Sequence, residues 1–269
     1  MSLEIQKENN KWRFRLLNGR NNYIRELAYC YDILNADFYI VEEGDYDTGF
    51  DMFFSSIHLD HLLNPQEVYE KGLKLIQMIN GASYLIHEDY SDVTIIGLEN
   101  LYNSNNEAQN VRKSINNFVF DIDFTKANFE NERQRSNSII FLIEQAKQDP
   151  FLLNLLYCLG VATDFKTLFQ VWDLFCDNRG EKATTKHFTE MGVPVDEITG
   201  FKKTANNFSA LGTAARHGPI LNAPKIEPIS LEEAHKLISK LARIEIKERY
   251  NWDLPLIKSK TISADDLFD

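Results

Sequence analysis

The hydrophobic pattern of this chain changes from alternation to helical spacing about halfway along its 269 residues. In the first half, Lys11–Leu17 and the end of Asn117–Phe124 alternate apolar and polar residues, as strands with one buried face do. In the second half, stretches such as Thr163–Cys176 repeat apolar residues at helical spacing. The sequence therefore predicts an α+β fold, in which an N-terminal mixed α/β-sheet domain is followed by an all-helical C-terminal domain.

Changes of composition divide the chain into three parts. Asn, Gln, Arg and Ser replace the strand pattern near residues 125–137, which predicts a domain boundary there. We therefore expect a sheet domain over residues 1–130 and a helical domain over residues 131–250. A tail over residues 251–269 contains Pro255, ends in a charged stretch and is expected to be loosely held.

Turn and capping residues predict the elements of the first half. Asn64-Pro65 is a helix start, with Asn as the N-cap and Pro at the first helical position, and Asn80-Gly81 is the predicted end of that helix. The acidic stretch Glu42–Gly49 is predicted to be a solvated hairpin turn, because it lacks the later residues of a calcium-binding loop. The predicted strands are Lys11–Leu17, Asp37–Val41, Phe50–Ile57, Ala82–Ile86, Val93–Leu98 and Asn117–Phe124.

The second half contains signals for helices throughout. Ser230 and Glu233 form a complete capping box, and the helix that they start is expected to run to about Glu248. Pro150 separates two apolar helices that precede this region. The other predicted helices are Ser138–Gln148, Phe151–Leu159, Thr163–Cys176, Ala183–Met191 and Phe201–Arg216.

Almost all of the net charge of −11 belongs to the first half of the chain. Residues 1–130 contain 11 Lys and Arg against 21 Asp and Glu, whereas residues 131–269 contain 18 against 19. The acidic half should repel phosphate backbones, so nonspecific nucleic-acid binding is not expected there. The nearly neutral second half leaves room for a local basic patch.

The cysteines and the longest apolar stretch indicate a cytoplasmic protein. Cys30, Cys158 and Cys176 are odd in number and widely spaced, which fits a reducing compartment better than a disulfide framework. The N-terminus shows no signal-peptide pattern. Phe151–Ala162 is much shorter than the roughly 20 apolar residues that a membrane span needs. We expect no membrane association.

The segment Thr204–Pro219 contains the candidate functional residues. Asn206 and Asn207 are candidate ligand-binding residues, and Arg216 and His217 are candidate catalytic residues at the end of the predicted helix. A structural role is the alternative, because the helix dipole favours cations near a helix C-terminus.

Gly212 lies inside the same predicted helix, where it costs about 1 kcal/mol relative to Ala. That cost predicts close approach of another helix or of a ligand at this position.

A family resemblance rests on the late Arg216-His217-Gly218 segment, a Pro-containing loop and a capped L-x-E-A-x-x-L-I helix. The arrangement resembles a group of uncharacterised bacterial proteins, in which an α+β N-terminal region precedes an all-helical domain. The C-terminal part also resembles HEPN domains, which are helical bundles, often dimeric and linked to phage defence or toxin systems. Some HEPN domains are metal-independent ribonucleases, and their motif is an Arg followed by a polar residue and then, after four to six intervening positions, a His. The resemblance implies that Arg216 holds phosphate and that His217 is the polar second residue of the motif.

Two functions are therefore considered. The favoured hypothesis is a non-catalytic binding or regulatory protein in a bacterial defence or mobile-element context, with Asn206, Asn207 and Asn222 as ligand-binding residues. Asn222 occupies the position of the final His of the HEPN motif, and an Asn side chain cannot act as a general base. The alternative is a HEPN-like metal-independent ribonuclease that uses Arg216 and His217. Neither hypothesis involves a cofactor. In both, a protein partner or RNA binds through the helical domain, and the chain can form a homodimer.

The histidines outside this segment are assigned no site. His58-Leu59-Asp60-His61 has the composition of a metal site, but on a strand the two histidines would point to opposite faces. A surface turn is therefore favoured there over a third hypothesis, a metal hydrolase that would use His58, Asp60 and His61, and no metal is expected. His187 and His235 are predicted to be surface residues.

Overall fold

The computed structural model describes residues 12–17, 24, 27, 38–45, 49–87, 94–100, 138–177, 179–219 and 226–257. The strands in these ranges are β1 (Trp12–Leu17), β2 (Phe38–Asp45), β3 (Gly49–Ser56) and β4 (Thr94–Asn100). The α-helices are α1 (Pro65–Ile86), α2 (Ser138–Ala146), α3 (Pro150–Gly160), α4 (Phe165–Asp177), α5 (Glu181–Glu190), α6 (Val195–Ala205), α7 (Phe208–Leu211) and α8 (Leu231–Tyr250). Short 3₁₀ helices span Ile57–Leu59 and Gly212–Ala214. A sheet followed mainly by helices confirms the predicted α+β fold.

The strands form an antiparallel sheet in the order β2-β3-β1-β4. Along β1, Trp12, Phe14 and Leu16 are buried, and the residues between them face outward. On the outer face, Arg13 binds Glu43 of β2 at 2.7 Å and Arg15 binds Asp51 of β3 at 2.7 Å. The alternation predicted for Lys11–Leu17 is confirmed, and β2 and β3 pair antiparallel up to Asp45 and Gly49. The predicted strand Asn117–Phe124 and the boundary near residues 125–137 lie outside the described residues.

Helix α1 begins as predicted and ends later than predicted. The side chain of Asn64 accepts a hydrogen bond from the backbone N–H of Gln66 at 2.9 Å, and Pro65 is the first helical residue. The helix then passes through Asn80-Gly81 and continues to Ile86. The predicted helix end at Asn80-Gly81 and the predicted strand Ala82–Ile86 are therefore wrong.

Close packing against α3 explains why Gly81 lies inside a helix. A methyl group added at Gly81 would overlap the backbone carbonyl oxygen of Leu156. On the facing helix, a methyl group at Gly160 would overlap the carbonyl oxygen of Gln77 in the same way. The two glycines thus allow the backbones of α1 and α3 to touch, and this packing outweighs the local tendency of Asn-Gly to end a helix.

Helix α1 also packs against the sheet. The space beside Gly72 on α1 is filled by the ring of Phe14 from β1, which is fully buried. Buried side chains of the sheet, such as Phe54, and of the later helices, such as Trp172, belong to one hydrophobic cluster of the described residues. Helix α1 therefore connects the sheet to the helical part of the molecule.

Capping residues start two of the later helices as predicted. Asp149 accepts a hydrogen bond from the backbone N–H of Phe151 at 2.8 Å, with Pro150 at the first position of α3. The Ser230 hydroxyl accepts from Glu233 N–H at 3.1 Å, and the Glu233 carboxylate accepts from Ser230 N–H at 2.7 Å. The capping box at the start of α8 is confirmed.

The prediction of one continuous helix over Phe201–Arg216 is wrong, because the helix is interrupted at Asn206-Asn207. Helix α6 ends at Ala205, and the side chain of Asn207 caps α7 by accepting from Ala210 N–H at 3.1 Å. Gly212 then has φ 57° and ψ −132°, a conformation that is not helical and that favours glycine. The space around Gly212 is open, since a methyl group added there would meet no described atom within 4 Å.

No helix within the described ranges combines the length and the apolar composition that crossing a bilayer requires.

Candidate functional site

The predicted site residue Arg216 lies on the surface beside α4. Its guanidinium group binds the carboxylate of Asp173 at 3.1 and 3.4 Å and lies 4.2 Å from the centre of the Phe169 ring. Its backbone N–H donates to the carbonyl oxygen of Ala205 at 2.8 Å. Arg216 and His217 are both exposed. The contacts of Arg216 fasten the segment after α7 to α4 and to the end of α6.

The pKa of Asp173 is shifted by its surroundings, which include Arg216 and His217. Partial burial raises the pKa of the Asp173 carboxyl group, and the charge of Arg216 partly offsets that rise. Smaller effects come from Glu181, which raises the pKa of Asp173, and from His217, which lowers it. Asp173 is therefore the carboxylate that both predicted catalytic residues influence.

The predicted ligand-binding asparagines lie at the junction of α6 and α7. Asn207 is buried and caps α7, as described above. The backbone N–H of Asn206 donates to the carbonyl oxygen of Lys202 at 3.2 Å and closes the last turn of α6. Asn222 lies outside the described residues. Both described asparagines thus have roles at helix ends.

The His58–His61 segment forms a 3₁₀ turn. The turn is present as predicted, but His58 is buried rather than exposed, and the turn packs against α1. His61 is exposed. No group of three or more His, Cys, Asp or Glu residues within the described ranges is arranged to hold a metal ion.

A cleft of about 1120 Å³ lies along α8, at a place where no site was predicted. The end of α1, the connection after α3 and the chain beyond α8 form its other walls. Its lining residues are Tyr84, His87, Ala162, Thr163, Met191, Glu232, His235, Lys236, Ser239, Lys240, Arg243, Ile244, Lys247, Asp253, Leu254 and Leu256.

A basic face of α8 runs along this cleft. Lys236, Lys240, Arg243 and Lys247 are separated by four, three and four residues, which places them on one side of a helix. They extend about 16 Å along the helix axis. An adjacent face, which is apolar apart from Glu245, is buried in the core and fixes how α8 is rotated. We call these four cations the basic face. Its spacing was visible in the sequence as the signal for the site.

The three lysines of the basic face lie near carboxylates. Lys236 binds Glu232 at 2.6 Å, and Lys247 binds Asp253 at 2.7 Å, both at exposed positions. Lys240 lies 3.9 Å from the Glu197 carboxylate, beyond hydrogen-bond distance. Among these pairs, that of Lys240 is therefore the loosest.

Arg243 has a different role, because it donates hydrogen bonds to backbone carbonyl groups. It donates to the carbonyl oxygen of Leu85 at 2.6 Å, to that of Pro255 at 3.2 Å and to that of Leu254. Burial lowers the pKa of the Arg243 guanidinium group, and Asp253 acts in the opposite direction. Arg243 joins the end of α1 to the chain beyond α8, and both of these segments contribute residues to the cleft.

Tyr84 and His235 connect the cleft wall to α8. The Tyr84 hydroxyl oxygen lies 2.8 Å from Nδ1 of His235 and 3.0 Å from its carbonyl oxygen. Burial raises the pKa of the Tyr84 hydroxyl and lowers the pKa of His87, so Tyr84 keeps its proton and His87 is neutral near pH 7. His235 was predicted to be a surface residue, but it is only partly exposed and contacts Tyr84.

Comparisons of the chain with protein-family models, with curated proteins and with solved structures find no match. The resemblance to HEPN domains and to the bacterial protein group stays a prediction.

Proposed function

We propose that this is a non-catalytic binding protein and that an anionic ligand binds in the cleft along α8. The observation that carries the proposal is the basic face, which concentrates four cations on a concave surface of a chain with a net charge of −11. Like charges brought together in a cleft repel one another, and an anion that enters relieves this repulsion.

The lining chemistry supports binding more than catalysis. Two carboxylates, Glu232 and Asp253, accompany the four cations among the described lining residues, so the cleft keeps an excess of positive charge. Tyr84 and His235 are hydrogen-bonded to each other. A regulatory role in a bacterial defence or mobile-element context is the setting that the family resemblance suggests, and RNA or an acidic protein surface would suit the basic face.

A titration tests the proposal. Inorganic phosphate and a short single-stranded RNA are titrated into the full chain by calorimetry at low and moderate salt. We expect saturable binding of at least one probe that weakens as salt increases, because exposed charges are screened. Lys240→Met should weaken it, and Lys186→Met, an exposed cation of α5 outside the cleft, should not. Equal binding by both variants would contradict the proposal.

The alternative function is a HEPN-like metal-independent ribonuclease at Arg216 and His217. One observation favours it: both side chains are exposed and next to each other on the surface beside Asp173. Purified protein should then cleave single-stranded RNA in the presence of a chelator, and His217→Ala should abolish cleavage without changing stability. RNA that stays intact after prolonged incubation with the wild-type chain would remove this alternative.

A further inference from the structure

Carboxylates stand at both ends of the basic face. Glu232 pairs with Lys236 at the start of α8, and Asp253 pairs with Lys247 beyond its end. A long polyanion that followed the whole face would have to pass both carboxylates. Beyond the cleft it would also meet a chain whose net charge is −11. At the centre of the face, Lys240 has a looser contact, 3.9 Å to the Glu197 carboxylate, so this is the place where an anionic group gains most.

The centre of the cleft offers donors that suit a phosphate group. The Lys240 ammonium group supplies three N–H donors, and the carboxylate of Glu197 lies 3.9 Å away from it. Ser239 and Thr163, whose side chains carry hydroxyl groups, are among the residues that line the same cleft. Arg243, the residue best suited to a planar carboxylate, is already bonded to backbone carbonyl groups. A tetrahedral anion with several acceptor oxygens fits this set better than a carboxylate does.

The other part of the lining is apolar. Ala162, Met191, Ile244, Leu254 and Leu256 contribute to the wall, and Met191 and Leu256 are about half exposed. The volume of about 1120 Å³ is slightly above the range of about 300–1,000 Å³ that small-molecule sites occupy. A ligand that covered this apolar wall would bury surface that is now in contact with water.

We infer that the ligand of this cleft is a small organic phosphate monoester, with its phosphate group at Lys240 and an apolar body against Leu256, which is about half exposed. The inference rests on the proposed function and names the chemical class of the ligand. The phosphate supplies the charge that the basic face attracts, and the apolar body supplies the contact that inorganic phosphate lacks.

Calorimetry with four probes tests this inference: phenyl phosphate, inorganic phosphate, phenol and a short single-stranded RNA. We expect phenyl phosphate to bind about tenfold more tightly than inorganic phosphate, because burial of the ring adds to the attraction of the phosphate. Phenol should bind more weakly than phenyl phosphate. Lys240→Met should weaken phenyl phosphate and inorganic phosphate alike, by about tenfold.

A second pair of variants isolates the apolar wall. Leu256→Ser should weaken phenyl phosphate about threefold and leave inorganic phosphate unchanged, because only the ring contacts this side chain. Leu63→Ser, at an exposed position outside the cleft, is the matched control and should change neither affinity. Both positions are exposed, so both variants should fold.

The outcomes separate the inference from the proposed function. If phenyl phosphate and inorganic phosphate bind equally and Leu256→Ser has no effect, the apolar body is wrong, while anion binding in the cleft stands. If RNA binds more tightly than phenyl phosphate and Lys240→Met weakens it, the ligand is a polyanion and the inference is overturned. If no anionic probe binds, the proposed function fails as well.

Discussion

Two stretches of this chain contain the same helix-ending residue types and behave in opposite ways. At Asn80-Gly81 the helix continues for another turn and a half, to Ile86. At Asn206-Asn207 the helix ends, and Gly212 follows with φ 57° and ψ −132°, which is not an α-helical conformation. The surroundings of each glycine explain the difference. The added methyl group would meet the backbone of Leu156 at Gly81 and open space at Gly212.

The comparison shows that a glycine within a helical pattern has two distinct uses. Gly81 is required by a neighbour, because only the absence of a side chain lets α1 and α3 touch. Gly212 is required by its own backbone, because its positive φ is strained for residues with a Cβ atom. The prediction that Gly212 marks close approach to another helix is therefore wrong, and that description applies to Gly81 instead.

The largest effect is expected for Gly81→Ala. Alanine is the better helix former by about 1 kcal/mol. The overlap with the Leu156 carbonyl group should cost about 3 kcal/mol or more, since two backbones must separate. We expect a net loss of about 2 kcal/mol or more in the free energy of unfolding, measured by urea denaturation. The same change at Gly218, which is exposed and uncrowded, is the control and should stay within about 0.5 kcal/mol.

Gly212→Ala should have the next largest effect, for the other reason. The methyl group meets nothing, so the loss comes only from the backbone conformation and should be about 1.5 kcal/mol. Urea denaturation gives the value. A variant as stable as the wild type would show that the chain at residue 212 does not need a positive φ, and the contrast with Gly81 would disappear.

Asn207→Ala directly tests the interruption of the helix between α6 and α7. Removing the side chain that caps α7 should cost about 1 kcal/mol. Asn206→Ala is the matched neighbour: the Asn206 side-chain oxygen accepts no hydrogen bond within the described structure, so its removal should cost less. Thermal unfolding of the two variants side by side gives the order. The reverse order would assign the helix break to Asn206.

The smallest effect is expected for Arg216→Ala. The guanidinium group loses an exposed ion pair with Asp173 and a contact with the Phe169 ring, which together should cost about 0.5 kcal/mol. Lys203→Ala, at an exposed position on α6, is the comparison and should be closer to neutral. A loss above about 2 kcal/mol would make Arg216 a principal support of the segment after α7 rather than a surface contact.

Local signals predicted the parts of the fold that depend on neighbouring residues. The alternation in β1, the Asn64 cap and the Ser230 capping box need only residues a few positions away, and all of them are confirmed. The position of Gly81 inside a helix could not be predicted in this way, because Leu156, the residue that it packs against, is far along the chain.

The cleft shows the same limit. A basic face on a helix could be predicted from the sequence, because it follows from the spacing of Lys236, Lys240, Arg243 and Lys247. The spacing does not show that residues 253–256 turn back to make that face concave, because this depends on contacts between α8 and α1.

Arg243 gives the cleft a property that follows from its bonds to the carbonyl groups of Leu85, Leu254 and Pro255. The apolar wall beyond α8 is held in place by this side chain together with the backbone bond from Ile257 N–H to the Ile86 carbonyl oxygen, at 2.7 Å. Occupancy of the cleft and attachment of residues 254–257 are therefore thermodynamically linked. If the proposed ligand occupies the cleft, we expect it to slow the exchange of the Ile257 amide proton with solvent, and we expect a chain that holds this segment more firmly to bind the ligand more tightly.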